Sequence, residues 1–287
     1  MEIGGKFKDI LYYNKNMAKS MEDKMFFVNM LPKSNSYIFV DFGCADGVMI
    51  NALNEQYRDS YFFGYDISDS MIELAKAKAM DSEHNVETFF TTNWVDIIKK
   101  ISDINDKNHV YKTVLVLSSV IHEVYSYANG EDDINKFWRM ITDSIDFDYI
   151  CIRDMMYSKD MDRYCTTLND AWIYKHIHEF QYWTPCKARQ IAKQYADYFN
   201  GNKSTNVKDL IQFLLKYKWV INWERELKEN YFPISVEEFL EKMTANFNIK
   251  YLERFRVPYL DECFRKDFDI ELEDNTHIKA IFEHKRK

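Results

Sequence analysis

No run of apolar residues in the chain approaches the length needed to cross a bilayer, and the opening MEIGGKFKDILYYNKN lacks the hydrophobic stretch of an export signal. The expectation is a cytoplasmic protein with no membrane partner. The five cysteines, at 44, 151, 165, 186 and 263, are odd in number, scattered and never in a C-x-x-C pair, so neither a disulfide framework nor a zinc site is indicated. The G-x-G-x-x-G fingerprint of nicotinamide and flavin dinucleotide sites is absent, as are internal repeats and low-complexity tracts.

What is present is a globular composition, 46% hydrophobic and 16% aromatic over 287 residues, enough for one large domain or a domain with an elaborated subdomain. The net charge of -8 is unevenly spread. Residues 1–157 hold 16 basic against 25 acidic side chains, whereas residues 187–228 reverse the balance, nine to four, with Tyr195, Tyr198, Tyr217, Trp219 and Trp223 among them.

The apolar run YIFVDF (37–42) reads as a strand buried on both faces, because a half-solvated strand would alternate. Further strands are expected at 61–68, 86–92, 111–120 and 147–155, with helices between them and an amphipathic helix over 17–31 ended by Pro32. This βαβα rhythm predicts a mostly parallel sheet with helices on both faces. Residues 158–244 read as an all-helical insertion after the fifth strand, and 249–260 and 276–285 as an antiparallel C-terminal hairpin around an acidic turn region. The predicted division is a Rossmann-like domain, residues 1–157 and 245–287, and the insertion.

The first strand runs into the turn GCADG, where Gly43 and Gly47 bracket a bend that lets backbone approach a ligand, ahead of a helix beginning at Val48. With Asp41 this gives D-x-G-x-A-x-G, which resembles the first motif, D-x-G-x-G-x-G, of the class I S-adenosylmethionine-dependent methyltransferases. Asp66 in GYDIS follows 25 residues later, where that family places the acid that binds the ribose hydroxyls. The resemblance covers 37–155 well and 249–285 loosely, and implies a seven-stranded Rossmann-like sheet. The cofactor contacts it implies are Asp41, Gly43, Cys44, Ala45 and Gly47 in the first turn, Asp66 and Ile67 after the second strand, Asn93 (or Thr92) and Trp94 after the third, and Ser118 after the fourth. S-adenosylmethionine carries a sulfonium, an ammonium and a ribose diol, which suits carboxylates such as Asp41 and Asp66; Ile67 can pack on adenine. For Cys44 a small side chain in a tight turn is sufficient reason.

His122 and Glu123 lie at the end of the fourth strand, where open α/β sheets bind ligands, and are the candidate catalytic residues. Two readings of His122 stay open: a base toward an acceptor hydroxyl or amine, or a structural histidine bonded to a loop carbonyl. Arg153 and Asp154 either face the acceptor or form an ion pair closing the fifth strand. His176, His178 and Glu179 have the wrong spacing for one helical face, so no metal is assigned. The reading favours methyl transfer to an O or N nucleophile of a small molecule, with the insertion as a cover whose tryptophans (172, 183, 219, 223) are core. RNA or nucleotide methylation through the basic aromatic segment is the alternative. A third reading, an inactive cofactor-binding regulator, rests on Ala45 alone.

Overall fold

The computed structural model describes residues 21–33, 36–80, 88–107, 111–164, 185–200, 206–268 and 271–285. The sheet-forming elements are β1 (Tyr37–Phe42), β2 (Tyr61–Tyr65), β3 (Thr88–Thr91), β4 (Lys112–Ser118), β5 (Tyr149–Met155), β6 (Phe247–Phe255) and β7 (His277–His284). They form one seven-stranded sheet in the order β3-β2-β1-β4-β5-β7-β6. β1 is buried at all six positions, as expected of its apolar residues, and carries the polar Asp41 into the interior with them. It pairs in parallel with β2 and β4, which sets Asp41 beside Gly64 on one side and Val116 on the other. β4 pairs in parallel with β5, Ser118 opposite Arg153. The strand order reverses between β1 and β4, so their carboxyl ends flank the switch point at which open α/β sheets bind ligands.

β7 runs against its neighbours. His284 N–H bonds Asp148 O at the start of β5, and Met156 N–H bonds Thr276 O at its end. Lys285 and Thr276 bond Asn246 and Phe255 in the same reversed sense. The fold is the Rossmann-like sheet expected, with its antiparallel C-terminal pair.

The chain divides into two compact units, one of Met1–Asp154, Met243–Glu253 and Lys279–Lys287, the other of Met155–Lys242 and Arg254–Ile278. In the first, helices α1 (Met21–Lys24), α2 (Val48–Gln56), α3 (Asp69–Met80), α4 (Trp94–Lys107), α5 (Ile121–Tyr127) and α6 (Glu131–Asp143) accompany β1–β5. Part of its core is Phe27, Tyr37, Phe39 and Phe62, with the rings of Phe39 and Phe62 stacked at 5.7 Å.

The second unit contains α7 (Pro185–Phe199), α8 (Val207–Lys216), α9 (Trp223–Glu226), a large part of α10 (Val236–Thr244), and α11 (Pro258–Phe268). Asn206 caps α8 by accepting Asp209 N–H at 3.2 Å. Ser235 and Glu238 form a reciprocal capping box at α10. Phe213, Leu214, Tyr195, Ile211, Phe264 and Phe268 build its apolar core.

Two local expectations differ from the structure. The helix read over 17–31 is, in its described part, a single turn to Lys24 followed by a 3₁₀ turn, Phe26–Asn29, which buries Phe27. Consecutive bulky residues, Phe26, Phe27 and Val28, disfavour continuation of an α-helix there. Between β6 and β7 the acidic turn region contains α11, because Leu260, Phe264 and Phe268 recur at helical spacing behind the charges.

Candidate active site

The turn after β1 is pinned to β2 by two backbone bonds, from Gly43 N–H (2.7 Å) and Cys44 N–H (3.0 Å) to Tyr65 O. Gly43 and Gly47 have φ of 80° and 76°, and a Cβ on Gly43 would lie 2.9 Å from Val120 Cγ2, one on Gly47 3.1 Å from Ala75 and Phe90. The glycines therefore serve close packing of the turn against the protein itself, in addition to its left-handed bends. Ala45 takes the left-handed region too, at φ 46°.

Asp66 braces this turn. One carboxylate oxygen accepts Ala45 N–H at 2.9 Å and the other accepts Ser68 N–H at 2.9 Å. Burial raises its pKa, and the two amides act against that. A carboxylate has about four acceptor positions, so roughly two remain. Ile67 beside it is 43% exposed, whereas Trp94 is buried with its indole N–H on Ser144 Oγ at 2.9 Å and its ring against Phe42 and Tyr65. Asn93 is exposed, and its Oδ1 accepts Val95 N–H at the start of α4.

Asp41 is buried behind the turn. Burial pushes its carboxyl up to about 7; Lys24 opposes the shift and Asp66 adds to it. The Cys44 thiol is raised well above its ordinary range, first by burial and then by Asp41 and Asp66, which makes it an inert packing group. Asp46 is also buried and pairs with Lys78 of α3. Ser118, the last residue of β4, is buried, and its Oγ has no hydrogen-bond partner among the described residues.

The fourth and fifth strand ends are joined by Asp154. Its Oδ2 accepts the N–H groups of Val120 and Ile121 at 2.9 and 2.6 Å, and its Oδ1 lies 2.7 Å from His122 Nδ1. Asp154 and His122 are both buried. A carboxylate on Nδ1 fixes that nitrogen as the donor and, in the neutral ring, leaves the lone pair on Nε2. His122 is thus bonded to a carboxylate, where the sequence suggested a carbonyl as its structural partner. Arg153 turns to other partners: its Nε donates to Asp23 at 3.0 Å and its NH1 to Ser119 Oγ at 3.0 Å. Ser119 holds a left-handed φ of 57°. Glu123 lies on α5, half-buried.

In the second unit the basic segment is internally paired. Lys187, Lys218 and the Tyr217 hydroxyl converge on the buried carboxylate of Asp267. Lys208 pairs with Asp162, Lys193 with Asp197 and Arg225 with Glu229, and Lys216 is buried on the carbonyls of Glu226 and Glu229. Tyr195 and Tyr217 are buried, and Trp223 is half-buried with its N–H on Asp197. No group of three or more His, Cys, Asp or Glu side chains able to hold a metal occurs among the described residues. His176, His178, Glu179, Trp172, Trp183 and Cys165 lie outside them.

Sequence reasoning missed Lys24, a buried side chain whose ammonium is pushed down to about 8 by burial and by the like charge of Arg153, with Asp41, Asp154 and Asp23 opposing the shift. A lysine in an amphipathic stretch carries no sign that it will be buried, and within its helical turn Lys24 alone is buried.

Residues 39–124 match the family profile described as a methyltransferase domain. No curated protein matches the chain. Among solved structures, an S-adenosylmethionine-dependent methyltransferase from Mesorhizobium loti is similar at 14% identity, covering 93% of this chain and all of its own, with a TM-score of 0.48. One from Methanosarcina mazei is similar at 12% identity over 91% of this chain and 98% of its own, with a TM-score of 0.45. The mycolic acid cyclopropane synthase CmaA1, solved with S-adenosylhomocysteine, is similar at 12% identity over 96% and 86%, with a TM-score of 0.44. Residues 39–124 of the chain, which hold the motif turn, Asp66 and the loop after β4, are thus similar to the methyltransferase-domain family.

Proposed function

We propose that the protein methylates an oxygen or nitrogen nucleophile of a small-molecule acceptor, with Asp66 on the cofactor ribose, Asp41 toward its cationic end and His122 as the base. The residues fit the cofactor: Asp66 keeps spare acceptor positions beside an exposed Ile67, and Ser118 brings an unpartnered hydroxyl to the switch point. When bound, S-adenosylmethionine supplies an electrophilic methyl group on a sulfonium.

The chain's own contribution is positioning and proton removal. Asp154 holds His122 in one tautomer and one orientation, so Nε2 is the atom that would take the acceptor's proton. The same carboxylate gathers the Val120 and Ile121 amides, so the loop after β4 and the base are held by one group. Glu123, the next residue on α5, is assigned an auxiliary role toward the acceptor. The second unit is assigned acceptor selection.

The observation that carries the acceptor class is the pairing of the basic segment. Of the nine basic side chains in 187–228, six are engaged by carboxylates or carbonyls of the same unit. RNA binding draws its affinity from cations available to phosphates and from exposed rings on which bases stack. The RNA reading loses both supports. Ala45, the single support for an inactive regulator, occupies its left-handed turn and donates to Asp66, so it does not disturb the motif.

Incubation with methyl-labelled cofactor and separated cell-extract fractions tests this. Label should enter the low-molecular-mass fraction in wild type and not in His122→Ala. Label recovered in RNA would replace the proposed acceptor class.

A further inference from the structure

The family profile covers residues 39–124, and two residues outside it, Asp23 and Arg153, reach the loop that carries His122. Arg153 of β5 is buried at 8% exposure, a location that is costly for a guanidinium unless its donors are bonded. Its Nε donates to Asp23 of α1 at 3.0 Å and its Nη1 to Ser119 Oγ at 3.0 Å. Its carbonyl also accepts Ser119 N–H at 2.8 Å, so Arg153 holds Ser119 through main chain and side chain together. Ser119 needs holding. At φ 57° it occupies a left-handed conformation that a Cβ disfavours and that persists only where surrounding bonds over-determine it. The next three residues, Val120, Ile121 and His122, are those bonded by Asp154. Consecutive residues of β5 thus divide the loop after β4 between them.

The other side of the guanidinium is anchored as firmly. Through its second carboxylate oxygen Asp23 pairs with Lys279 of β7 at 2.6 Å. Phe26, just after α1, sets its ring 6.0 Å from that of Tyr251 on β6, and Phe27 is fully buried with its ring 6.4 Å from that of Phe39 on β1. A guanidinium is planar, so fixing Nε on a carboxylate fixes the plane in which Nη1 reaches out; an ammonium carries no such direction. We propose that Arg153 is a positioning residue for the reaction: Asp23 orients its plane, and its two bonds to Ser119 set the course of the backbone through residues 120–122 and with it the place of His122 Nε2. The segment before the matched domain thereby takes part in aligning the base. This inference rests on the reading of His122 as the base given above and adds to it the chain of side chains, from α1 to the loop after β4, that aligns it.

The test is a double-mutant cycle on the full chain. Label transfer from saturating methyl-labelled S-adenosylmethionine into the low-molecular-mass fraction of a cell extract is timed for Arg153→Lys, Ser119→Ala and the pair, beside S-adenosylhomocysteine affinity by calorimetry. Each single variant should lower the rate by ~10- to 100-fold, the scale of a misplaced catalytic group, with affinity within ~2-fold of wild type. The pair should be slower than the slower single variant by no more than ~2-fold, because both substitutions remove one link. Arg153→Lys keeps the charge, so its loss reports the direction of the bond. In the ligand-free protein, isotope-labelled at its histidine nitrogens, magnetic resonance should show His122 protonated at Nδ1 in wild type and as a mixture of tautomers in both variants. If Arg153→Lys does not fold, Asp23→Asn, at a side chain 33% exposed, takes its place in the cycle with a smaller expected loss, about 3- to 10-fold.

Losses that multiply in the pair would mean that Arg153 and Ser119 act by separate routes, and wild-type rates with an unchanged His122 spectrum would mean that the clamp leaves the base where it was; either result overturns the proposal. A fall in S-adenosylhomocysteine affinity in step with the rate also overturns it, by making the clamp a support of the cofactor site. His122→Ala separates this from failure of the base reading. If His122→Ala transfers label at the wild-type rate, the base reading fails whatever the clamp does, whereas an inactive His122→Ala beside fully active Arg153→Lys and Ser119→Ala keeps the base and removes the clamp.

Discussion

His122 Nδ1 lies 2.7 Å from Asp154 Oδ1, a bond between residues 32 apart in sequence that fixes the imidazole while the other carboxylate oxygen gathers two backbone amides. An asparagine at 154 could still accept the amides but would present an NH2 to the ring and so favour the opposite tautomer. Asp154→Asn is therefore expected to lower turnover by ~10²- to 10⁴-fold, as is His122→Ala, with S-adenosylhomocysteine affinity within a few-fold of wild type. In both variants the rise of rate with pH attributable to the imidazole should disappear. Unchanged turnover in His122→Ala would make the pair structural.

The turn after β1 predicts a contrast between neighbours. Gly43→Ala forces a Cβ to 2.9 Å from Val120 at a left-handed φ, and should destabilise the fold by ~2–4 kcal/mol in denaturant unfolding. Ala45→Gly, at φ 46°, relieves the left-handed penalty and should be neutral or stabilising by up to ~1 kcal/mol, with cofactor affinity retained. Equal behaviour of the two would contradict the turn geometry.

Asp41 supplies a pH signature. Burial raises its carboxyl from 3.8 to about 7 in the folded protein, so between those values the native state holds a proton that the unfolded chain has released. Stability from this group is greatest below about pH 4 and declines as pH rises toward 7. Glu226 in the other unit, raised to about 7 by burial and by Glu229, adds a decline of the same sign. The difference between wild type and Asp41→Asn isolates the first: melting temperatures measured from pH 4 to 8 should fall more steeply for wild type. Parallel curves would mean that Asp41 titrates normally.

Asp267 joins Lys187, Lys218 and Tyr217 from two helical stretches to α11. Removing it leaves two lysines and a buried hydroxyl without their common acceptor, and Asp267→Ala should cost ~3–5 kcal/mol. Hydrogen exchange should show the loss in α7, α8 and α11 and little change in β1–β5. Loss spread evenly over both units would contradict the division of the chain.

The strands were legible because a parallel strand covered on both faces writes itself as a largely apolar run: YIFVDF, with Asp41 its one polar residue, became β1 without a residue's change. The turn and Asp66 were legible because chain spacing places them at successive strand ends. What was not legible is pairing across the fold. The bond from Asp154 to His122, the neutralisation of Lys187 and Lys218 by an aspartate some 50 to 80 residues on, and the burial of Lys24 are products of packing that no local pattern carries. Helix α11 was legible in principle, through Leu260, Phe264 and Phe268, but acidic neighbours masked the period. The role of the glycines was half legible: the positive φ values follow from the turn, whereas their close approach is to Val120, Ala75 and Phe90.

The proposed placement of the cofactor ribose at Asp66 starts from the sequence motif and is testable through one side chain. Because the carboxylate also braces Ala45 and Ser68, Asp66→Ala should lower stability by ~1–2 kcal/mol, more than a residue facing open solvent would. Calorimetry with S-adenosylmethionine and S-adenosylhomocysteine on the folded variant, below its melting temperature, is the most direct test of the account. Both ligands should bind at least ~10-fold more weakly than to wild type, and by the same factor, since they share the ribose and differ only at the sulfur. Wild-type affinity for both would contradict the account at its base.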